Sequence, residues 1–367
     1  MAEPLKNVYS PAFIDSLTAS LKQVYAPLNR KAFVAAVFTP DWEEKELKQR
    51  MKHLAHVLKQ FLHQDYVKDV ATIIDWVHLL KSNSERYQSF EYLFLAEYVE
   101  LFGQEDLILS MKAIEEITQY TSCEFAIRSF LIRHPEKVMK YMLKWSTHKN
   151  ANIRRFSSEG CRPRLPWGMA IPAFKKDPAL ILPILENLKD DDSEYVRKSI
   201  ANNLNDIAKD NPLVVVGIIK KWKGKSKNTD WIIKHGARSL LKKAHPEVLS
   251  LFDLNSRVSC TVSHLKLNKK SIAIGDTLSF SFDLETDAKK AAKLRIEFAV
   301  YYMKAAGKIS RKLFKITENT FPASSVTTFN KKLSFKDLTT RKHYSGKHKI
   351  AIVINGNELA EQGFIVT

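Results

Sequence analysis

The chain has 367 residues, of which 45% are hydrophobic and 27% charged, enough apolar material for two ordinary domains and too much for disorder. Its formal net charge of +18, from 58 Lys plus Arg against 40 Asp plus Glu, favours a polyanionic partner over a neutral small molecule. Nucleic acid is the first candidate partner, an acidic protein or a membrane surface the second. The longest apolar stretches, such as residues 213–219, fall well short of the roughly 18 consecutive apolar residues that a spanning helix needs, so no transmembrane helix and no membrane role are expected. The opening residues Met1-Ala2-Glu3-Pro4-Leu5-Lys6 lack a basic segment followed by an apolar core, so no secretory signal is expected and the cytoplasm is the expected compartment. Cys123, Cys161 and Cys260 lie far apart and are odd in number, which suits a reduced protein without a disulfide framework or a paired-cysteine zinc site.

Residues 1–257 read as helical throughout. Segments 43–63, 66–80 and 90–102 carry apolar residues at spacings of three and four, and glycine is scarce. His53 and His56, three apart on a helix, have no further ligands beside them and read as surface residues rather than a metal site. A short phrase then recurs: His134-Pro135-Glu136-Lys137-Val138, Asp177-Pro178-Ala179-Leu180, Asn211-Pro212-Leu213-Val214 and His245-Pro246-Glu247-Val248. Proline suits the first turn of a helix, where its missing N–H costs nothing, so each phrase predicts a helix start. The prolines are 43, 34 and 34 residues apart, a period that predicts a HEAT-like solenoid of helix pairs.

Each repeat also has a second helix, beginning near Asn152-Ile153-Arg154-Arg155, Tyr195-Val196-Arg197-Lys198 and Trp231-Ile232-Ile233-Lys234. In the middle one, Ser193 is the predicted N-cap, and Val196, Ile200, Leu204 and Ile207 form one apolar stripe for packing between repeats. Another face carries Lys198, Asn202 and Asp206. The aligned positions are Arg155 and Glu159 in the preceding repeat and Lys234, Arg238 and Lys242 in the following one, so stacking predicts one continuous, largely basic surface. Carboxylates in a groove that tracks phosphates repel the ligand and need a reason. Chemistry on a developing cation is one; salt bridges with Arg155 or Lys198 are the other. The interval of 43 holds nine extra residues, around Gly160-Cys161-Arg162-Pro163-Arg164-Leu165-Pro166-Trp167-Gly168-Met169-Ala170-Ile171-Pro172. Three prolines and two glycines there predict a loop just beyond Glu159. It either presents Trp167 as a π-face for a cationic or flat ligand or plugs a gap between repeats with it. Glu124, one repeat earlier, either extends the acidic cluster or pairs with Arg128 four residues on.

After Arg257 the texture changes. Residues 278–282, 293–302, 331–335 and 349–354 alternate with period two, and Ile274-Gly275-Asp276 and Asn355-Gly356-Asn357 signal turns, so residues 258–367 are predicted to form an all-β immunoglobulin-like sandwich. Tyr344 stands near where a corner tyrosine is found in such folds. Residues 259–367 carry +10 of the net charge. That predicts either a second polyanion-contacting surface or lysines that keep an edge strand soluble. The chain has no phosphate-binding glycine loop and no His-Glu-x-x-His, so no metal and no cofactor are expected.

Arg154-Arg155, Glu159, the Arg162-Pro163-Arg164-Leu165-Pro166-Trp167 loop and the Val196-Arg197-Lys198…Asn202…Asp206 helix, followed by a β-sandwich, resemble the AlkC branch of the AlkC/AlkD alkylpurine DNA glycosylases over essentially the whole chain. The resemblance implies a monofunctional base-excision-repair enzyme acting on alkylated double-stranded DNA. It would hydrolyse the N-glycosidic bond of cationic bases, 3-methyladenine and 3-methylcytosine, without full base flipping. It further implies that Glu159, Asp206 and Glu124 are catalytic, and that Trp167 contacts the lesion nucleotide. Arg154, Arg155, Arg162, Arg164, Lys198, Lys234 and Arg238 would hold DNA, as would Arg341, Lys342, Lys347 and Lys349 on the sandwich. A monomer is expected. The competing reading is a non-enzymatic HEAT-repeat scaffold for nucleic acid or an acidic protein, in which Glu159 and Asp206 merely balance charge.

Overall fold

The computed structural model describes residues 3–83, 90–255, 257–286, 289–305, 307–338 and 341–367. The helical part runs α1 (Pro11–Val24), α2 (Arg30–Val37), α3 (Leu47–Phe61), α4 (Tyr66–Ser82), α5 (Phe94–Phe102), α6 (Leu107–Ile117), α7 (Ile127–Arg133) and α8 (Pro135–Trp145). It continues with α9 (Ala151–Gly160), α10 (Pro172–Lys176), α11 (Leu182–Leu188), α12 (Glu194–Asp210), α13 (Pro212–Trp222), α14 (Lys227–Gly236), α15 (Arg238–Lys242) and α16 (Pro246–Leu251). Among the described residues no helix is long and apolar enough to cross a membrane.

Pro135, Pro212 and Pro246 each open a helix as expected, but Pro178 does not. There the short helix α10 is inserted, and the next helix starts only at Leu182, with Pro183 in its first turn. His53 is also not simply a surface residue: its Nε2 lies 3.0 Å from the carbonyls of Ala36 and Val37, which closes the end of α2, while His56 is exposed. In α12 the stripe of Val196, Ile200, Leu204 and Ile207 is buried, and the helix packs between α9 and α14. Gly236 permits the closeness on one side, since a Cβ there would fall 2.9 Å from Cβ of Leu204.

The β part comprises β1 (Cys260–Leu267), β2 (Ser271–Ile272), β3 (Thr277–Thr286), β4 (Ala292–Met303), β5 (Ile309–Phe321), β6 (Val326–Ser334), β7 (Gly346–Ile354) and β8 (Asn357–Val366). A three-stranded sheet, β1-β3-β6, faces a five-stranded sheet, β2-β8-β7-β4-β5, with all pairs antiparallel except β2 with β8. Leu278, Phe280, Phe282 and Leu284 from β3 meet Ile296, Phe298 and Ile350 in the common core, as alternation predicts. The expectation of strict period two fails for β4 and β7. They occupy the middle of the larger sheet, and Ala299, Ala351 and Val353 form a second buried cluster on its other face. Asn355 and Gly356, with φ of +46° and +90°, make the two-residue turn between β7 and β8. Tyr344 contributes its backbone carbonyl, which accepts from Nε2 of His348.

Packing divides the chain into two compact units, residues 1–215 with 222–236, and residues 216–221 with 237–367. The change of texture at residue 257 is therefore a change of secondary structure, while α15 and α16 pack with the strands. Nδ2 of Asn355 donates to the Asn255 carbonyl at 2.8 Å and Nζ of Lys293 to the Phe252 carbonyl at 3.1 Å, and a Cβ on Gly356 would meet Ala244.

Candidate functional site

The three carboxylates expected from the sequence converge within the first unit. α9 begins at Ala151 because the Asn150 side chain accepts from the amide of Asn152. It ends flush against its neighbours, since a Cβ on Gly160 would lie 2.8 Å from Ile127 and 2.9 Å from Met142. That close approach sets the adjoining Glu159, which shares a face with Arg155 one turn earlier. α12 starts at the expected position, but the Ser193 hydroxyl does not cap it. The carboxylate of Asp191 accepts from the Ser193 amide at 2.9 Å and also grips Arg154 at 2.6 and 3.1 Å.

Glu124, Arg155, Glu159, Arg162 and Asp206 form one continuous ionic chain. Arg155 pairs with Glu124 and lies 3.5 Å from Oε1 of Glu159. Arg162 then bridges Glu159 at 2.6 Å and Asp206 at 2.7 Å, and Lys209 reaches the other oxygen of Asp206 at 2.9 Å. Asp206 is 1% exposed and Glu159 5%, so both acids are buried and neither is left without a partner. Salt bridging of Glu159 with Arg155 is thus present, whereas Lys198 pairs with Glu194 and not with Asp206. Likewise Glu124 takes Arg155 in place of Arg128. Burial works against the charge on Arg155 and Arg162, but the flanking carboxylates outweigh it and raise the pKa of each.

Arg128 has a different task. Its fully buried guanidinium donates to the carbonyls of Gly160 at 3.1 Å, Arg162 at 2.9 Å and Met169, gripping both ends of the loop after α9. Burial pulls its pKa down to about 10. The loop so held displays Trp167 at its outer edge, 61% exposed and with φ of +64°. Trp167 therefore plugs no gap. Its carbonyl accepts from Nζ of Lys48, which also stands 5.0 Å from the ring centre of Phe125. Trp167, Phe125, Leu93, Arg155, Glu159 and Glu124 line a hollow of about 330 Å³. Among the described residues, no group of three or more His, Cys, Asp or Glu is placed to hold a metal ion.

The residues expected to hold DNA fall into two sets. Arg154 bonds Asp191 and the carbonyls of His148 and Lys149, Arg164 bonds Asp210 at 2.6 and 2.8 Å, and Arg162 is 6% exposed. In this structure these three side chains, with Arg155, tie elements of the fold together, because each finds a carboxylate on a neighbouring segment. Lys198 is exposed, Lys234 lies in the last turn of α14, and Arg238 opens α15 in the other unit. On the sandwich, Arg341 and Lys342 line a hollow of about 340 Å³ with Lys304 and Lys312, and Lys347 is exposed. Lys349 is held by Glu361 at 2.6 Å over the ring of Tyr301.

Sequence reasoning missed Lys48, Lys209 and Glu100, and it offered Arg128 only as a partner for Glu124. Lys209 carried a signal, as a cation one turn from Asp206. Glu100, on α5, has its carboxyl pushed up to about 7 by burial and by Glu97. The folded protein therefore retains a proton that the unfolded chain loses near the ordinary value of 4.5, and stability falls as pH rises from there through about 7. Glu100→Gln should flatten that slope and raise the melting temperature at pH 8 by roughly 2–4 °C, read from melts across the pH range.

Comparison with known proteins places this geometry. Residues 35–240 match a family described as DNA alkylation repair enzyme, and residues 261–367 match the C-terminal Ig-like domain described for the uncharacterised protein YhaZ. The chain is 41% identical to uncharacterized protein YhaZ of Bacillus subtilis (strain 168) over 352 residues, 96% of each chain. It also superposes on the alkylpurine DNA glycosylase AlkC of Pseudomonas fluorescens, solved bound to DNA containing an abasic site analog, with a TM-score of 0.94, 32% identity and all of both chains covered. The helical repeats with their carboxylates and the C-terminal sandwich are therefore both parts of a known protein, and the chain belongs to the DNA alkylation repair enzyme family, in its AlkC-like branch.

Proposed function

We propose that this protein is a monofunctional DNA glycosylase that removes cationic alkylated bases such as 3-methyladenine and 3-methylcytosine from double-stranded DNA. The observation that carries the reading is the ionic chain from Glu124 through Glu159 to Asp206 beside an exposed Trp167. Three carboxylates, balanced by Arg155, Arg162 and Lys209, are gathered in one place on a basic protein, so that a cationic ligand can compete for them as its own counter-charge.

An N3-methylated adenine carries a positive charge. When the C1′–N9 bond breaks, its electrons pass to the base, which leaves neutral, and the sugar takes on oxocarbenium character. A carboxylate facing that sugar stabilises the cation, and water then adds at C1′ and gives up a proton to the acid that orients it. Glu159 and Asp206 take these two roles, with Glu124 supporting Glu159 through Arg155. Reaching Asp206 requires Arg162 to swing from it toward the DNA, where a phosphate replaces the carboxylate as its partner. Trp167 offers its ring to the lesion nucleotide, a cation–π contact worth about 0.5–2 kcal/mol. An open hollow rimmed by an exposed tryptophan suits attack without full extrusion of the base. Arg341, Lys342 and Lys347 supply phosphate contacts from the sandwich, and Lys198, Lys234 and Arg238 from the helices.

The test is release of free 3-methyladenine from methylated duplex DNA without added metal. The expected result is free base plus an abasic site that is cut only on later treatment with alkali. Tight duplex binding with no base released would instead support the scaffold reading.

A further inference from the structure

Away from the carboxylates, α8 and the start of α6 enclose a hollow of about 690 Å³, floored by Leu107, Ile108 and Tyr141 and rimmed by Lys137, Lys140 and Lys144. Ile108, at the start of α6, is 76% exposed and adds an aliphatic surface to the hollow. The other face of α8, with Val138, Met139, Met142 and Trp145, is buried, and Trp145 packs on Phe156 of α9. At 100° per residue the three lysines stand opposite that packed face, so they are turned away from the helix that carries Glu159. The acids at the rim are already engaged. Glu105 pairs with Arg133 at 2.8 Å, and Asp106 caps α6 through the Leu109 amide. Among the described residues the three lysines have no carboxylate within ion-pair distance.

We propose that this hollow is a docking site for an acidic peptide segment with an apolar or aromatic anchor, presented by a partner protein. Three unpaired ammonium groups around an aliphatic floor match alternating carboxylates flanking one buried side chain. DNA matches less well, because its backbone brings phosphates but nothing to cover Ile108.

The probe is a fluorescein-labelled eight-residue peptide of aspartate and glutamate with a central leucine–phenylalanine pair. Its binding is followed by anisotropy on the full chain, with saturating duplex DNA present to occupy any DNA track. Polyglutamate of the same length is the control. The expected result is micromolar binding that polyglutamate fails to match, weakened about tenfold by Ile108→Ser and by the double variant Lys140→Glu, Lys144→Glu. Duplex affinity and base release should be unchanged in both variants. All three changes are on the surface, and circular dichroism checks that the fold is kept. Equal binding of polyglutamate, or peptide binding indifferent to both variants, overturns the proposal. So does a fall in duplex affinity in the lysine variant, which would make this face part of the DNA track.

Discussion

Asp206→Asn is expected to lower the single-turnover rate of 3-methyladenine release by about 10²–10³-fold, the usual loss when one group aimed at developing charge is removed. Glu159→Gln should fall in the same range. Each acid is buried in an ion pair with Arg162, which keeps the other acid as its partner in either single variant, so each change also destabilises the fold, but by less than the about 3–5 kcal/mol of a buried pair broken outright. The two effects separate experimentally. Rates are taken well below the melting temperature of each variant, and duplex binding is measured alongside. Loss of release with binding retained or strengthened is the signature of catalytic acids, since deleting a negative charge from a basic groove does not weaken its hold on phosphate. Unchanged release in both variants would mean that the acids serve only to balance Arg155 and Arg162. Asp206→Glu is a useful companion. It keeps the charge but moves it by one methylene, and a large loss there points to geometry rather than charge alone.

The second large effect is expected from Arg128→Met. The substitution is close in volume, but it strips the donors from the carbonyls of Gly160, Arg162 and Met169. At roughly 1–3 kcal/mol for each buried polar group left unsatisfied, the cost is about 3 kcal/mol or more. The melting temperature should fall by about 6–12 °C. Activity should fall too, by about 10²-fold, because the loop carrying Trp167 and Arg162 is no longer pinned at both ends. Arg128→Lys, with a single donating group, should lie between the two. A folded Arg128→Met protein that excises at the wild-type rate would show that the loop finds its place without this clamp.

Much of the architecture was legible in the chain because it rests on local rules. Proline at a helix start, apolar residues at spacings of three and four, and strict alternation in β3 each report on a few neighbouring residues, and each matches the fold. Where locality fails, so did the reading. Pro178 looked like its siblings, yet the stretch before it holds a loop and then the short α10, and the next helix starts only at Leu182. β5 was missed because, as an edge strand, it shows mostly polar side chains to solvent. The alternation expected of β4 is absent because the strand is central and covered on both faces.

By itself the sequence determined that the texture changes from helical to all-β near residue 257 and that the helical part is a repeat, and it pointed to Glu159 and Asp206 on one surface, with Glu124 one repeat earlier and a single tryptophan loop just beyond Glu159. Tertiary structure alone decided what those residues do to one another. Arg155 meets Glu124 across 31 residues and Arg162 meets Asp206 across 44, distances along the chain at which no spacing rule chooses between one arginine and another. Ion pairs form wherever packed helices bring opposite charges within reach. The pairings of Arg155 with Glu124 and of Arg162 with Asp206, the exposure of Trp167 and the clamp of Arg128 are therefore properties of the packing between segments, which no single segment encodes, whereas Arg155 with Glu159 and Lys209 with Asp206 are local pairs.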